Sequence, residues 1–158
     1  MSAPDDCYRA ALRILNHRFN SAAELKRKLR AKGFDRECIE PTIVRLTDEK
    51  WLDDERYAGA YVRTRLQKRI GKLRVRRELI AAGVADEIID QALGENVDSD
   101  AERARAVAAA EKRLPILVRR YGAQLARNKL TAYLLKQGYD FALVREIVKE
   151  MQDLSPRA

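Results

Sequence analysis

The chain has 158 residues, 32 Lys and Arg against 24 Asp and Glu, one His and a net charge of +8. Charged residues reach 35% and no apolar run approaches the roughly 20 residues of a spanning helix, which argues against a membrane-embedded protein. The 46% hydrophobic fraction is enough to build a core and argues against wholesale disorder.

Seven Gly and four Pro are too few for a loop-rich β chain, and the wealth of Ala, Leu, Arg, Lys and Glu favours helices. The first helix is expected to end near His17, in ILNHRFNS. Ser21 with Glu24 three residues on is a capping box that opens a second helix, Gly33 closes it, and Asp35 caps a third. Asp53 or Asp54 then caps a helix with the apolar stripe Ala58, Tyr61, Val62 and Leu66. Gly71 stands where Ser21 stood, and Gly83 where Gly33 stood. Residues 97–106 hold the next turn and cap. Gly122 lies one turn ahead of the next expected start, so that helix is free to begin sooner, and Asp140 caps the last one after Gly138. Pro41 and Pro115 fall inside expected helices, which must either kink there or have boundaries off by a turn.

The elements repeat. Gly33, Gly83 and Gly138 are each preceded at −4 by Leu29, Leu79 and Leu134, and at −8 by Leu25, Val75 and Leu130. Each is followed at +1 by Phe34, Val84 and Tyr139, at +6 by Ile39, Ile89 and Val144, and at +10 by Ile43, Leu93 and Val148. These are helical spacings on both sides of a turn closed by a left-handed glycine. The expected fold is all-α: three tandem three-helix repeats in an elongated, curved modular rod. Repeat 1 spans residues 7–52, repeat 2 residues 53–97 and repeat 3 residues 98–152, with flexible ends at 1–6 and 153–158.

No catalytic set emerges. His17 reads as a helix-end residue, and Asp53 and Asp54 as caps rather than an acid–base pair, because adjacent helical residues do not face each other. Cys7 and Cys38 lack CxxC spacing and a nearby His, so neither a metal site nor redox chemistry is indicated, and Cys38 reads as a small buried apolar residue. No glycine loop for phosphates is present. No enzyme and no cofactor are expected. The N-terminal MSAPDDCYRA shows no leader pattern, so a reducing cytoplasm is the expected location.

The basic segments carry more. Arg63, Arg65, Lys68, Arg69, Lys72, Arg74, Arg76 and Arg77 form a run without an acid, across a helix end, the Gly71 turn and the next helix start. They are the candidate partner- or DNA-binding residues. Arg74 and Arg77 are expected to point outward, and the helix N-terminal amides beside them suit phosphate or carboxylate groups. Lesser clusters are Lys26, Arg27, Lys28, Arg30 and Lys32, and Lys112, Arg113, Arg119, Arg120, Arg127 and Lys129. Trp51, Tyr57 and Tyr61 read as core, with base stacking a lesser option.

WLDDERYAGAYVRTRL followed by GKLRVRRELIAAGVADEIIDQAL resembles the central signature of the RecX regulatory proteins. The specific elements are Leu52, Asp53, Asp54, Tyr57 and Ala58, joined to Glu78, Leu79, Gly83 and Val84. SAAELKRKLRAKGFDRECIEPTIVRL and LARNKLTAYLLKQGYDFALVREIV match in kind, so the resemblance covers about residues 7–151. It implies a cytoplasmic bacterial protein that binds the RecA recombinase and lies along the groove of the RecA–DNA filament. The implied consequence is inhibition of filament growth, ATPase, strand exchange and co-protease activity, in DNA repair, recombination and SOS control. It also implies possible direct contact with single- and double-stranded DNA. A monomer is expected, with no membrane partner. The alternative reading is a sequence-tolerant DNA-binding protein using the helix–Gly–helix units as helix-turn-helix modules. The acidic starts DRECIE and ADEIID weigh against it, because a recognition helix leads with groove-reading residues.

Overall fold

The structure, a computed structural model, describes residues 3–153. They form nine helices and no strand: α1 Ala3–His17, α2 Ala22–Ala31, α3 Arg36–Asp48, α4 Asp54–Gln67, α5 Lys72–Ala81, α6 Asp86–Asn96, α7 Ser99–Tyr121, α8 Ala123–Gln137 and α9 Phe141–Asp153. The all-α expectation holds. Residues 3–6, expected within a flexible end, instead form the first turn of α1, where Asp5 and Asp6 suit the positive end of the helix dipole. The rest of the expected flexible ends, apart from Asp153 at the close of α9, lies outside the described residues.

The glycine spacing folds as the pattern requires. Gly33, Gly83 and Gly138 have φ of +93°, +76° and +97°. In each turn the residue after the glycine donates to a carbonyl five back: Phe34 to Leu29 (3.2 Å), Val84 to Leu79 (3.1 Å) and Tyr139 to Leu134 (3.2 Å). The glycines donate to Arg30, Ile80 and Leu135. This double closure satisfies carbonyls the helix end would otherwise strand. The matched apolar positions at −8, −4, +6 and +10 are all buried.

The caps are also those expected. Ser21 makes both bonds of its box with Glu24, Asp35 accepts from Cys38 N–H, and Asp140 accepts from Ala142 N–H. Asp98 caps α7, and α8 does begin early, at Ala123 after Gly122. α3 and α7 run through Pro41 and Pro115, so the boundaries needed no shift. Both prolines are exposed, and so are Glu37 and Glu111, whose carbonyls lose their amide donors. Water can reach these carbonyls, which is why the helices tolerate the rings.

The chain divides into two compact units: residues 1–61 with 78–92, and residues 62–77 with 93–158. The first has a core of Cys7 and Ala11 from α1, Leu25 and Leu29 from α2, Ile39, Ile43 and Leu46 from α3, and Leu52. The core of the second comes from the small face of α7 (Ala106, Ala109, Ala110), from Leu130 and Leu134 of α8, from Tyr139, and from Val144, Ile147 and Val148 of α9. Alanines on α7 let its neighbours approach closely, and the larger side chains fill the remaining space. Cys7 is fully buried, whereas Cys38 is only half-buried, and both are free thiols.

Candidate binding surface

All eight residues of the basic run belong to the second unit. Arg63 and Arg65 lie in α4, Lys68 and Arg69 in the turn, and Lys72, Arg74, Arg76 and Arg77 in α5. The turn is tightly built. Arg69 has φ +57°, a left-handed backbone without a glycine, held because Ile70 N–H donates to Arg65 and Arg69 N–H to Leu66. The buried Tyr139 hydroxyl donates to the Arg69 carbonyl at 2.5 Å, and burial pushes that phenol's pKa well up.

The structure separates the run into two sets. Arg63, Lys68, Arg69, Lys72 and Arg77 are exposed, and their side chains have no acidic partner among the described residues. Arg65, Arg74 and Arg76 are half-buried and interact within the protein. The outward orientation expected of Arg74 is therefore corrected. Its Nη1 donates to Gln137 Oε1 at 3.2 Å, and its Cβ lies so close to Gly138 that any side chain at 138 would collide with it. Arg77 does face solvent, as expected.

A second correction concerns the α5 N-terminus. Its amides are already used: Gly71 N–H donates to Gln137 O at 2.8 Å, Leu73 N–H to Gly138 O at 3.1 Å, and Lys72 N–H to Glu102 Oε1 at 2.9 Å. Glu102 is buried, and its other oxygen accepts from Arg105 at 2.7 Å. This helix start holds no open anion site; exposed side chains alone remain for binding.

The lesser clusters differ in the same way. In α2, Lys26 pairs with Glu40 at 3.1 Å, Arg27 donates to the Ala81 carbonyl and Lys28 to Asn20 Oδ1. Only Arg30 and Lys32 remain exposed there without a partner. In α7 and α8, Lys112, Arg119, Arg120, Arg127 and Lys129 are exposed, while Arg113 stacks over Tyr133.

The acidic pair divides its work. Asp53 caps α4 by accepting from Arg56 N–H at 3.1 Å, and Asp54 Oδ1 accepts from Ala22 N–H, the first amide of α2, at 2.9 Å. Tyr57 is buried and stacks on Tyr61 at 5.9 Å; burial pushes its pKa up to about 12. Trp51, expected in the core, is 58% exposed, because the turn after α3 buries Leu52 and turns residue 51 outward. His17 ends α1 and is exposed. Among the described residues no group of three or more His, Cys, Asp or Glu gathers to hold a metal, and no helix is long and apolar enough to cross a membrane.

These features define an all-helical repeat protein with exposed basic residues on α4, α5, α7 and α8. Two domain profiles match it: "RecX, first three-helix domain" over residues 7–46 and "RecX, second three-helix domain" over residues 53–93. It is 32% identical over 146 residues to the regulatory protein RecX of Clostridium perfringens, covering 92% of this chain and 68% of that protein. It is 33% identical over 148 residues to the regulatory protein RecX of Trichlorobacter lovleyi, covering 93% and 96%. The crystal structure of RecX from Lactobacillus salivarius superposes with a TM-score of 0.78 at 27% identity, covering 96% and 97%. The chain belongs to the RecX family of regulatory proteins.

Proposed function

We propose that this protein is a negative modulator of RecA that binds RecA and RecA–DNA filaments along their groove. It slows filament growth and thereby lowers ATPase, strand-exchange and co-protease activity, in repair, recombination and SOS control. The observation that carries this reading is the similarity to proteins named regulatory protein RecX along nearly the whole chain. Under this reading it works as a cytoplasmic monomer of three tandem three-helix repeats, without catalysis of its own. Several weak contacts on one chain raise the effective affinity for a repeating polymer. The exposed Arg63, Lys68, Arg69, Lys72 and Arg77 supply the charge such contacts need.

The test is the DNA-dependent ATPase of RecA on single-stranded DNA, with the protein added before and during filament growth. Inhibition that scales with added protein, together with its retention on preformed filaments, supports the reading. An unchanged ATPase with equal binding to RecA-free DNA favours a sequence-tolerant DNA-binding protein instead.

A further inference from the structure

A groove of about 1020 Å³ opens within the first unit, at the end of α1 and the turn after α3. Its apolar lining comes from Leu12 and Leu15, both half-buried, and from Phe19 and Trp51, 59% and 58% exposed. A single exposed aromatic is ordinary, but two beside two leucines make a patch that gains free energy when covered. The Trp51 backbone is held in place: its main-chain N–H donates to Leu46 O at 2.8 Å, and Lys50 before it sits at φ +65°.

The rim is cationic. Arg13 and Lys50 have no acidic partner among the described residues, and the Arg56 guanidinium lies 5.1 Å from the Phe19 ring centroid. Arg18 is only loosely near Glu24, at 3.9 Å. The one carboxylate in the lining, Glu49, is already engaged by the Tyr8 hydroxyl and by Arg45 Nε at 2.8 Å, which holds its pKa below the usual carboxylate range. The groove thus presents apolar surface and unpaired positive charge with no open acid.

We propose that this groove docks an acidic peptide segment of a partner protein, one that presents a Leu or Phe flanked by Asp or Glu. The apolar side chain seats against Leu12, Leu15 and Trp51, and the carboxylates meet Arg13, Lys50 and Arg56. Nucleic acid fits less well. Successive bases need successive open ring faces; Arg56 already covers Phe19, and beside Trp51 the remaining apolar lining is Leu12 and Leu15. The proposal goes beyond the RecA reading and does not require it, because the basic run lies in the second unit and the groove in the first.

Trp51 is the only tryptophan, so its fluorescence reports on this groove directly. The full-length chain is titrated with a short Trp-free peptide carrying Leu and Phe among glutamates, with the same peptide bearing Gln for Glu, and with oligothymidylate. The expected result is a saturable blue shift with the acidic peptide and binding weaker by roughly tenfold or more with the Gln peptide. Arg13→Glu with Arg56→Glu should abolish the shift while helicity and melting stay near wild type. If that double variant does not fold, Arg13→Glu alone, at an exposed residue without a partner, should still weaken binding. No shift with the acidic peptide, equal affinity for the Gln peptide, or a shift with oligothymidylate at lower concentration than with the peptide would each overturn the proposal.

Discussion

Gly71 shows how a single residue's local preference is reversed by its surroundings. It occupies the cap position that Ser21 fills for α2, and by cap preference alone serine should serve at least as well there. Yet a Cβ at 71 would drive into the backbone carbonyl of Gly138 and lie 2.7 Å from Tyr139 N. Gly71→Ser is therefore expected to destabilise by about 2 kcal/mol or more, read as a lowered urea midpoint. Stability equal to or above wild type would show that the backbone can yield there. Lys50 is the opposite case: a side chain at φ +65° in a turn that elsewhere uses glycine. Lys50→Gly removes left-handed strain of about 1 kcal/mol, partly offset by glycine's greater freedom when unfolded. A net gain of about 0.5 kcal/mol is expected, measured by thermal or urea unfolding. The glycine turns at 33, 83 and 138 are legible in the sequence because glycine announces a left-handed position. Those at Lys50 and Arg69 are not, because the same backbone is imposed there by closure of the turn on ordinary residues.

Between elements, carboxylates from one helix cap the start of another. Asp54, at the start of α4, satisfies the first amide of α2, and Glu102 of α7 satisfies the first amide of α5. The one acid in the first turn of α2, Glu24, is bonded to the Ser21 amide, and α5 has no acid in its first turn. Glu102 is the more demanding of the two, since it is buried and also binds Arg105, itself mostly shielded from water. Glu102→Ala strands both the Lys72 amide and the Arg105 guanidinium. A loss of about 3 kcal/mol is expected, with Glu102→Gln losing less because it still accepts from the amide. Asp54→Ala, which removes one bond from a less buried site, should cost about 1 kcal/mol. Equilibrium unfolding of the three variants orders them; equal losses would contradict the buried-pair argument. The Ser21, Asp35, Asp53, Asp98 and Asp140 caps can be read from the sequence because cap and capped amide are neighbours in the chain. Glu102 cannot, because 30 residues separate it from Lys72 and it is the fourth residue of α7, where Asp54 is the first of α4. The same limit hides the fate of the α5 amides: in the sequence they look open to an anion, and in the fold the carbonyls of Gln137 and Gly138 fill them.

Across the whole molecule, charge is unevenly spread: eleven basic against eight acidic residues in 1–50, nine against nine in 51–98, and twelve against seven in 99–158. The balanced middle still contains the acid-free stretch richest in basic residues, so net charge by region does not locate the binding surface. The sequence places that run on a helix end, a turn and a helix start. It cannot sort which of the eight members are spent on packing, because Arg74 is claimed by Gln137, 63 positions away. The sorting changes which variant is informative. Replacing Arg63, Lys68, Lys72 and Arg77 by Ala removes four exposed charges with no internal partner, so the fold and melting temperature should be retained. Arg74→Ala, by contrast, should lower stability without reporting cleanly on binding. The fourfold variant is expected to bind RecA–DNA filaments more weakly than the parent. Salt then identifies the partner group. If the four side chains meet phosphates, the slope of log affinity against log salt should fall by roughly 0.7–0.9 for each phosphate no longer neutralised, and binding to naked DNA should weaken in parallel. If they meet carboxylates of RecA, affinity should fall with a smaller change of slope while naked-DNA binding barely responds. A folded fourfold variant that inhibits the RecA ATPase at the parent's concentrations would leave these residues as a hydrated helix face and move the search for the interface to the exposed cations of α7 and α8.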